Sequence, residues 1–174
     1  MNAFFRRMLP LFALLLTVVM AVSAAPAVSA DEADEKPLYT DADAQYIART
    51  IWGEARGCSK IEQAAVAWCI LNRVDNENPY FPDTIAGVVK QPSQFSGYSR
   101  NNPVEDELLE LANDVLERWE QEKNGETDVG RVLPERYLYF GGNGRHNRFR
   151  TQSGWNDIWD WSCENPYEVI EDAQ

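Results

Sequence analysis

The sequence predicts an α+β domain that is mainly α-helical, with a buried central helix and a small β-hairpin. Residues 64–71 (Ala-Ala-Val-Ala-Trp-Cys-Ile-Leu) have no polar face for two helical turns, and a helix that is apolar all round is a buried one. Residues 137–140 and 146–150 flank the glycine-rich segment 141–144, a pattern typical of a hairpin. The chain has 174 residues, which suits one globular domain.

The first 30 residues have the layout of a secretory signal. Arg6 and Arg7 precede an apolar run that extends to Val22, and small residues follow as far as Ala30. A retained membrane anchor is the alternative, but the run is shorter than the roughly 20 residues of a spanning helix. We expect a signal peptide over 1–30, cleaved after Ala30 or at a competing site near Ala24. An acidic flexible leader (31–39) and a single domain (40–174) follow.

The first two helices have clear start signals. Thr40 or Asp41 can cap a helix that runs from about 42 to 55. Ser59 opens the second helix, where Glu62, three positions later, completes a capping-box pattern. This second helix contains the apolar segment 64–71, so we expect the other elements to pack against it.

The remaining elements are shorter or less regular. A short helix is expected to bury Ile85, Val88 and Val89. A further helix is predicted to be capped by residues 102–105, with Pro103 at its first position. Its apolar stripe consists of Val104, Leu108, Leu111, Val115 and Trp119, and it ends at a turn around Asn124 and Gly125. The hairpin follows, and then a tail with Trp155, Trp159 and Trp161, of which at least two are expected in the core.

The charge of the chain excludes some partners. The formal net charge is −12, and it becomes −14 without residues 1–30, which contain two arginines and no acid. We therefore expect no nucleic acid and no anionic membrane as the main partner. The stretch 131–150 is locally basic, and this strip is either a docking site for an acidic substrate or a set of solvated side chains. The arginines of the strip are Arg131, Arg136, Arg145, Arg148 and Arg150.

Glu54 is an acid on a helix face that is otherwise apolar. Ile47 and Ile51 precede it by seven and three residues, and the helical period places all three on one side. Loss of water and the negative end of the helix dipole both disfavour a carboxylate there, so we expect a raised pKa and a protonated acid near neutral pH. The alternative is that Glu54 pairs with Arg56 or Lys60 and only closes the helix.

Three cysteines in an exported protein leave at least one thiol unpaired. Cys58 and Cys69 are about 16 Å apart along the predicted helix, too far for a disulfide, and Cys69 is expected to be buried. A bridge between Cys58 and Cys163 is the remaining hypothesis. One histidine and three scattered cysteines match no usual ligand spacing, so we expect no metal and no cofactor.

Four segments together resemble a known family. Residues 51–57 (Ile-Trp-Gly-Glu-Ala-Arg-Gly), 62–74, 81–85 and 91–96 (Gln-Pro-Ser-Gln-Phe-Ser) closely resemble the SleB-type cell wall hydrolases, which are named after the spore cortex-lytic enzyme. The resemblance covers about residues 44–150. It implies a lysozyme-like fold, a lytic transglycosylase that cleaves the glycan backbone of peptidoglycan, and a catalytic glutamate in the E-A-R-G motif, which is Glu54 here.

The expected mechanism uses one carboxylate. Glu62 points away if it caps its own helix, and a lytic transglycosylase needs no second acid because the 6-hydroxyl of muramic acid attacks its own anomeric carbon. Glu54 would first protonate the glycosidic oxygen and then, as a carboxylate, accept the hydroxyl proton. Candidates for holding N-acetyl and hydroxyl groups are Gln91, Gln94, Ser96, Tyr139 and Asn147, and candidates for stacking on sugar faces are Phe95 and Tyr98.

Several alternatives stay open on the sequence. The enzyme could be a muramidase-type hydrolase of the same bond, or the chain could be a non-catalytic peptidoglycan-binding module, although Glu54 and its motif are intact. A cysteine-dependent enzyme that uses Cys58 and His146 is a third reading. The expected partner is the glycan strand of peptidoglycan. We further expect a monomer that is secreted to the cell wall and does not stay inserted in the membrane, without separate peptidoglycan-binding repeats.

Overall fold

The central helix is surrounded by three others and followed by a hairpin. The computed structural model describes residues 37–143, 145–151 and 156–168. The predicted signal peptide, the leader up to residue 36, Gly144 and Trp155 lie outside the described residues. The elements, in chain order, are α1 (Asp41–Ala55), α2 (Lys60–Val74), α3 (Ile85–Lys90), α4 (Asp106–Lys123), β1 (Tyr139–Gly142) and β2 (Asn147–Arg150). The predicted α+β class, mainly helical with a small hairpin, is confirmed.

Local hydrogen bonds start the first two helices. The Asp43 carboxylate accepts from the Thr40 backbone N–H at 3.0 Å and from its hydroxyl at 2.8 Å. In α2, Glu62 reaches back in the same way and accepts from the Ser59 hydroxyl at 2.8 Å. Because these bonds join residues three apart, the starts of both helices are readable from the sequence. Both predicted starts are confirmed.

The helix α2 is the centre of the core, as predicted. Its residues from Ala64 to Leu71 are fully buried, and it contacts α1, α3 and α4. The short helix α3 buries the three predicted residues, Ile85, Val88 and Val89. None of the helices described is long and apolar enough to cross a membrane.

Two predicted boundaries are wrong. The helix α4 begins at Asp106, so Pro103 lies before it rather than at its first position. The segment is held in place by α1, since Arg49 Nε donates to the Asn102 carbonyl at 3.2 Å and Trp52 Nε1 donates to Glu105 at 3.0 Å. The predicted stripe is buried at Leu108, Leu111, Val115 and Trp119, while Val104, outside the helix, is only half-buried.

The first strand is shifted by two residues from its predicted position. It begins at Tyr139, and Gly141 and Gly142 belong to it rather than to the turn, paired with Arg148 and Asn147 of the antiparallel β2. A Cβ on Gly142 would lie 2.1 Å from the Asn147 side-chain oxygen. Glycine is therefore needed there for the close approach of the strands, not for the turn.

The tail packs on the hairpin. Trp159 is buried and donates its indole N–H to the Val132 carbonyl at 3.0 Å, while its backbone N–H donates to the Phe149 carbonyl at 2.9 Å. Trp161 packs edge-on against the Phe149 ring, with centroids 5.8 Å apart. The prediction that at least two tail tryptophans pack with the core is confirmed for these two.

Candidate active site

Glu54 is in the last turn of α1 and is half-buried. Its Oε1 accepts a hydrogen bond of 2.6 Å from the backbone N–H of Gly97, in the loop between α3 and α4. Burial raises the pKa of the Glu54 carboxyl above its ordinary value, and the Gly97 N–H opposes this rise because it stabilises the charged form. The direction agrees with the expectation from the apolar helix face.

Two glycines make the contact between α1 and this loop. A Cβ on Gly53 would lie 1.8 Å from the Gly97 carbonyl oxygen, and a Cβ on Gly97 would lie 2.5 Å from the backbone of Gly53 and 3.1 Å from the Glu54 side chain. Such distances are far inside van der Waals contact, so only glycine fits at either position. The Gly97 N–H is brought to Glu54 by this backbone contact.

Asn102 fastens the same loop to α1. Its side-chain amide donates to the Arg49 carbonyl at 3.0 Å and to the Gly97 carbonyl at 2.8 Å. The Asn102 carbonyl in turn accepts from Arg49 Nε. The loop is therefore held from two sides, and the position of the Gly97 N–H does not depend on a single contact.

The alternative role of Glu54, as the partner of a neighbouring cation, is not supported. Arg56 lies over the Trp52 ring, 4.4 Å from its centroid, and donates to the Trp52 carbonyl at 3.2 Å. Lys60 lies over the Tyr167 ring at 5.7 Å. Both cations thus have other neighbours, and in the described part of the chain neither forms an ion pair with Glu54.

The raised pKa makes a prediction about stability. Below the unfolded-state value of about 4.5, Glu54 is protonated in both states and the wild-type fold has its full stability; this stability decreases as the pH rises through the higher folded-state pKa. Glutamine does not titrate, so across that window we expect Glu54→Gln to gain stability relative to wild type. Urea unfolding of both proteins at several pH values measures the difference, with Glu117→Gln, an exposed site on α4, as the control for a lost negative charge. A Glu54→Gln protein that is less stable than wild type across this pH window would contradict the burial of Glu54.

Glu62 is buried, at 8% exposure, and its carboxylate is fully engaged. One oxygen accepts from the Asn147 backbone N–H at 2.8 Å, and the other accepts from Ser59. The exposed His146 ring nitrogen lies 3.8 Å from the second oxygen. As the sequence predicts, Glu62 caps its own helix, and it also anchors β2, so it is not a free second acid.

Two of the predicted sugar-binding residues are buried instead. Phe95 is 5% exposed and packs against Phe140, with ring centroids 5.9 Å apart, so it has no free face for stacking. Asn147 is 5% exposed; its backbone binds Glu62 and its side-chain amide lies 3.5 Å from the Cys58 sulfur. Both predictions are wrong because the side chains turn into the core.

The other candidates remain accessible to different degrees. Ser96 is exposed, whereas Gln91, Gln94 and Tyr139 are half-buried. Tyr98 packs against Tyr46 and lines a pocket of about 480 Å³ beside the Gly97 loop. The wall of this pocket carries three cations, Arg49, Lys90 and Arg100, together with Ala42, Gln45, Tyr46 and Tyr98. Ser96 and Tyr98 directly flank Gly97, which contacts Glu54, and their role in substrate binding stays a prediction.

Two residues near these candidates were not predicted. Arg73 is 2% exposed and lies over the rings of Phe81 and Phe95, and its Nη1 donates to the Gln94 amide oxygen at 3.1 Å. Tyr80 is 52% exposed, and its hydroxyl accepts from the Gln94 amide at 3.0 Å. The sequence contains one signal that could have pointed to Arg73. An arginine near the end of a buried helix needs partners in the core.

The basic strip is not one continuous surface. Arg131 lies 4.0 Å from the centroid of the Trp68 ring and pairs with Glu122. Arg136 lies over the Tyr137 ring at 4.9 Å. Arg131 is thus part of the packed structure, whereas Arg136, Arg145 and Arg148 of the strip are exposed.

The cysteines are free thiols in the structure. Cys58 lies beside the Asn147 amide, whereas the Cys163 thiol is 3.7 Å from the Val132 carbonyl. The predicted Cys58–Cys163 disulfide is therefore not formed. Burial and the nearby Glu62 raise the pKa of the Cys58 thiol, which disfavours the thiolate that a cysteine nucleophile requires.

Part of the chain is similar to a known protein family. Residues 57–129 match the family described as Cell Wall Hydrolase. The predicted family resemblance is confirmed. The matched segment contains α2, α3, the Gly97 loop and α4, and it begins three residues after Glu54.

The relatives are spore cortex-lytic enzymes. The chain is similar to the one from Halalkalibacterium halodurans (45% identity over 58 residues, 33% of this chain and 17% of the relative). It is also similar to those from Oceanobacillus iheyensis (34% over 89 residues, 49% and 32%) and Bacillus subtilis (38% over 58 residues, 33% and 18%). The matched part thus spans less than a third of the length of each of these relatives. No solved structure matches the chain significantly.

Proposed function

We propose that this protein degrades peptidoglycan by cleaving its glycan backbone as a lytic transglycosylase, with Glu54 as the general acid and then the general base. The observation that carries the proposal is the half-buried Glu54 carboxyl, whose pKa is raised and whose oxygen accepts the Gly97 N–H at 2.6 Å. The resemblance to cell wall hydrolases and to spore cortex-lytic enzymes supports peptidoglycan as the substrate.

The reaction returns Glu54 to its starting protonation state. Protonated Glu54 donates its proton to the glycosidic oxygen while the bond from that oxygen to the muramic acid C1 breaks. The 6-hydroxyl oxygen of the same sugar forms the new bond to C1, and its proton passes to the Glu54 carboxylate. The products are a 1,6-anhydromuramic acid end and a new 4-hydroxyl on the neighbouring sugar, and the carboxyl is again protonated.

The environment of Glu54 suits both steps. Burial raises the pKa of the carboxyl and so favours the protonated form that a general acid requires. When the proton leaves, the Gly97 N–H becomes a donor to a charged oxygen, and charge-assisted hydrogen bonds are roughly twice as strong as neutral ones. The same contact therefore stabilises the carboxylate that has to collect the second proton.

Hydrolysis with two carboxylates is less well supported. Glycosidases of that kind need a second carboxylate as a nucleophile or to activate water. The nearest acid in sequence within the matched segment, Glu62, has both oxygens engaged by Asn147 and Ser59. A single carboxylate is sufficient for the intramolecular attack.

Product analysis tests this proposal. Digestion of purified peptidoglycan followed by mass spectrometry is expected to yield anhydromuramic ends in amounts that match the bonds cleaved. Reducing muramic acid ends would instead indicate a muramidase-type hydrolase. Wall binding without any new ends would indicate a non-catalytic module. We further infer that the protein acts outside the cell as a secreted monomer on glycan strands.

A further inference from the structure

We propose that Tyr80 and Gln94 form a donor pair for the acetamido carbonyl of the glycan, and that Arg73 orients this pair. The inference rests on the proposed function and names the chemical group that the site would recognise. It assigns a role to Tyr80, an exposed aromatic residue, and to Arg73, a buried cation.

The orientation of the Gln94 amide follows from its neighbours. Arg73 has only donors, so the Gln94 atom that faces its Nη1 at 3.1 Å has to be the carbonyl oxygen. The amide nitrogen then faces the Tyr80 hydroxyl, at 3.0 Å, and donates to it. The Tyr80 hydroxyl oxygen is thus occupied as an acceptor, and its own hydrogen points away from Gln94.

Arg73 is itself fixed and cannot turn away. It is 2% exposed, its Nε donates to the Leu138 carbonyl at 2.7 Å, and its guanidinium lies over three aromatic rings. The distances to the ring centroids are 5.3 Å for Phe81, 4.8 Å for Phe95 and 5.4 Å for Tyr139. A buried charge held in this way sets the polarity of the hydrogen bonds that begin at it.

The side chain of Tyr80 is exposed, but hydrogen bonds fix its backbone and a ring contact fixes its position. Its backbone N–H donates to the Asn78 side chain at 3.0 Å, and its carbonyl accepts from the Gln91 amide at 2.8 Å. Its ring packs edge-on against Phe81, with centroids 5.2 Å apart. An exposed ring with fixed backbone and fixed hydroxyl polarity loses little entropy when it binds a ligand.

The pair has two donors that no hydrogen bond within the described residues uses. These are the hydroxyl hydrogen of Tyr80 and the second N–H of Gln94, and together they suit a carbonyl oxygen, which accepts two hydrogen bonds. Gln94 is three residues from Gly97, which donates to Glu54, so the Cα atoms of Gln94 and Gly97 are at most about 11 Å apart. In the glycan backbone of peptidoglycan, the acetamido groups are the carbonyl acceptors attached to every sugar.

Binding of neutral sugars tests the inference apart from cleavage. The protein is prepared as Glu54→Gln, and calorimetry compares a β-1,4-linked N-acetylglucosamine hexasaccharide with the β-1,4-linked glucose hexasaccharide, which has no acetamido groups. We expect the acetamido sugar to bind more tightly, and Tyr80→Phe to weaken its binding about tenfold, the effect of one hydrogen bond, without changing glucose binding. Tyr39→Phe, at a residue that precedes α1, makes the same exchange and is the control; it is expected to change the binding of neither sugar.

Gln94→Glu tests whether the direction of the Tyr80 hydroxyl hydrogen matters for binding, apart from any effect on the stability of the fold. A carboxylate at this position accepts from Arg73 and also from the Tyr80 hydroxyl, so it turns the hydroxyl hydrogen inward while the tyrosine is retained. We expect a loss of acetamido binding at least as large as in Tyr80→Phe, because this variant removes both donors, with an unfolding temperature that is not lowered.

Two outcomes overturn the inference. Acetamido binding that is unchanged in Tyr80→Phe or in Gln94→Glu contradicts the donor pair. No binding of the acetamido sugar by the Glu54→Gln protein contradicts it as well. In that case the wild-type digestion decides about the proposed function separately, because anhydromuramic ends would leave the function standing and their absence would remove both.

Discussion

Glu54→Gln is expected to reduce glycan cleavage by at least about 100-fold, the lower end of what a general acid–base residue contributes. Glutamine has nearly the same shape and cannot donate or accept the proton at the glycosidic oxygen. Its side-chain oxygen can still accept the Gly97 N–H that Glu54 accepts at 2.6 Å, so the fold should be kept. The rate of release of soluble fragments from purified walls measures the effect.

The control for this variant is Glu117→Gln, which removes an acid from the exposed face of α4. It is expected to cleave walls at the wild-type rate. Circular dichroism of both variants shows whether the fold is intact. A Glu54→Gln protein that is folded and fully active would refute the assignment of Glu54 as the acid.

Gly53→Ala is expected to destabilise the protein by about 1–3 kcal/mol, the usual cost of an overpacked contact. In an ordinary helix interior the same exchange stabilises by about 1 kcal/mol, because glycine is a poor helix former. Here the new Cβ would lie 1.8 Å from the Gly97 carbonyl oxygen. The sign is therefore reversed, and the loop has to move away from α1, taking the Gly97 N–H from Glu54. Cleavage should fall together with stability.

Urea unfolding measures the change through the midpoint of the transition. Ala42→Gly is the control because it makes the same exchange in reverse at a position of α1 whose side chain is exposed. Ala42→Gly is expected to lower the free energy of unfolding by no more than about 1 kcal/mol. A Gly53→Ala protein that is more stable than wild type would show that the backbone contact between α1 and the loop is absent.

Much of the helical structure is readable from the sequence because its signals are local. Asp43 caps α1 through Thr40, and Glu62 caps α2 through Ser59, in each case over three residues. The apolar run of α2 predicts its burial without knowledge of its partners, since no face of it can be exposed. Glu54 is found in the same way, from its distance to Ile47 and Ile51.

The wrong predictions share one physical reason. The start of α4 is displaced because Arg49 and Trp52, 53 residues before their partners, hold the segment that precedes it. Phe95 turns inward because an aromatic ring in an irregular loop packs wherever the core offers space, here beside Phe140. Asn147 is buried because Glu62, 85 residues earlier, takes its N–H. No local pattern specifies such partners.

By itself, the sequence determined the helical class, the buried helix α2 and an acid at the end of an apolar helix face, because these depend on periodicity and on bonds between near neighbours. Only the tertiary structure decided that Gly97 donates to Glu54 and that Arg73 orients Gln94. These contacts join residues 43 and 21 positions apart. They arise from the packing of helices and loops against one another, which fixes the distances on which the proposed chemistry depends.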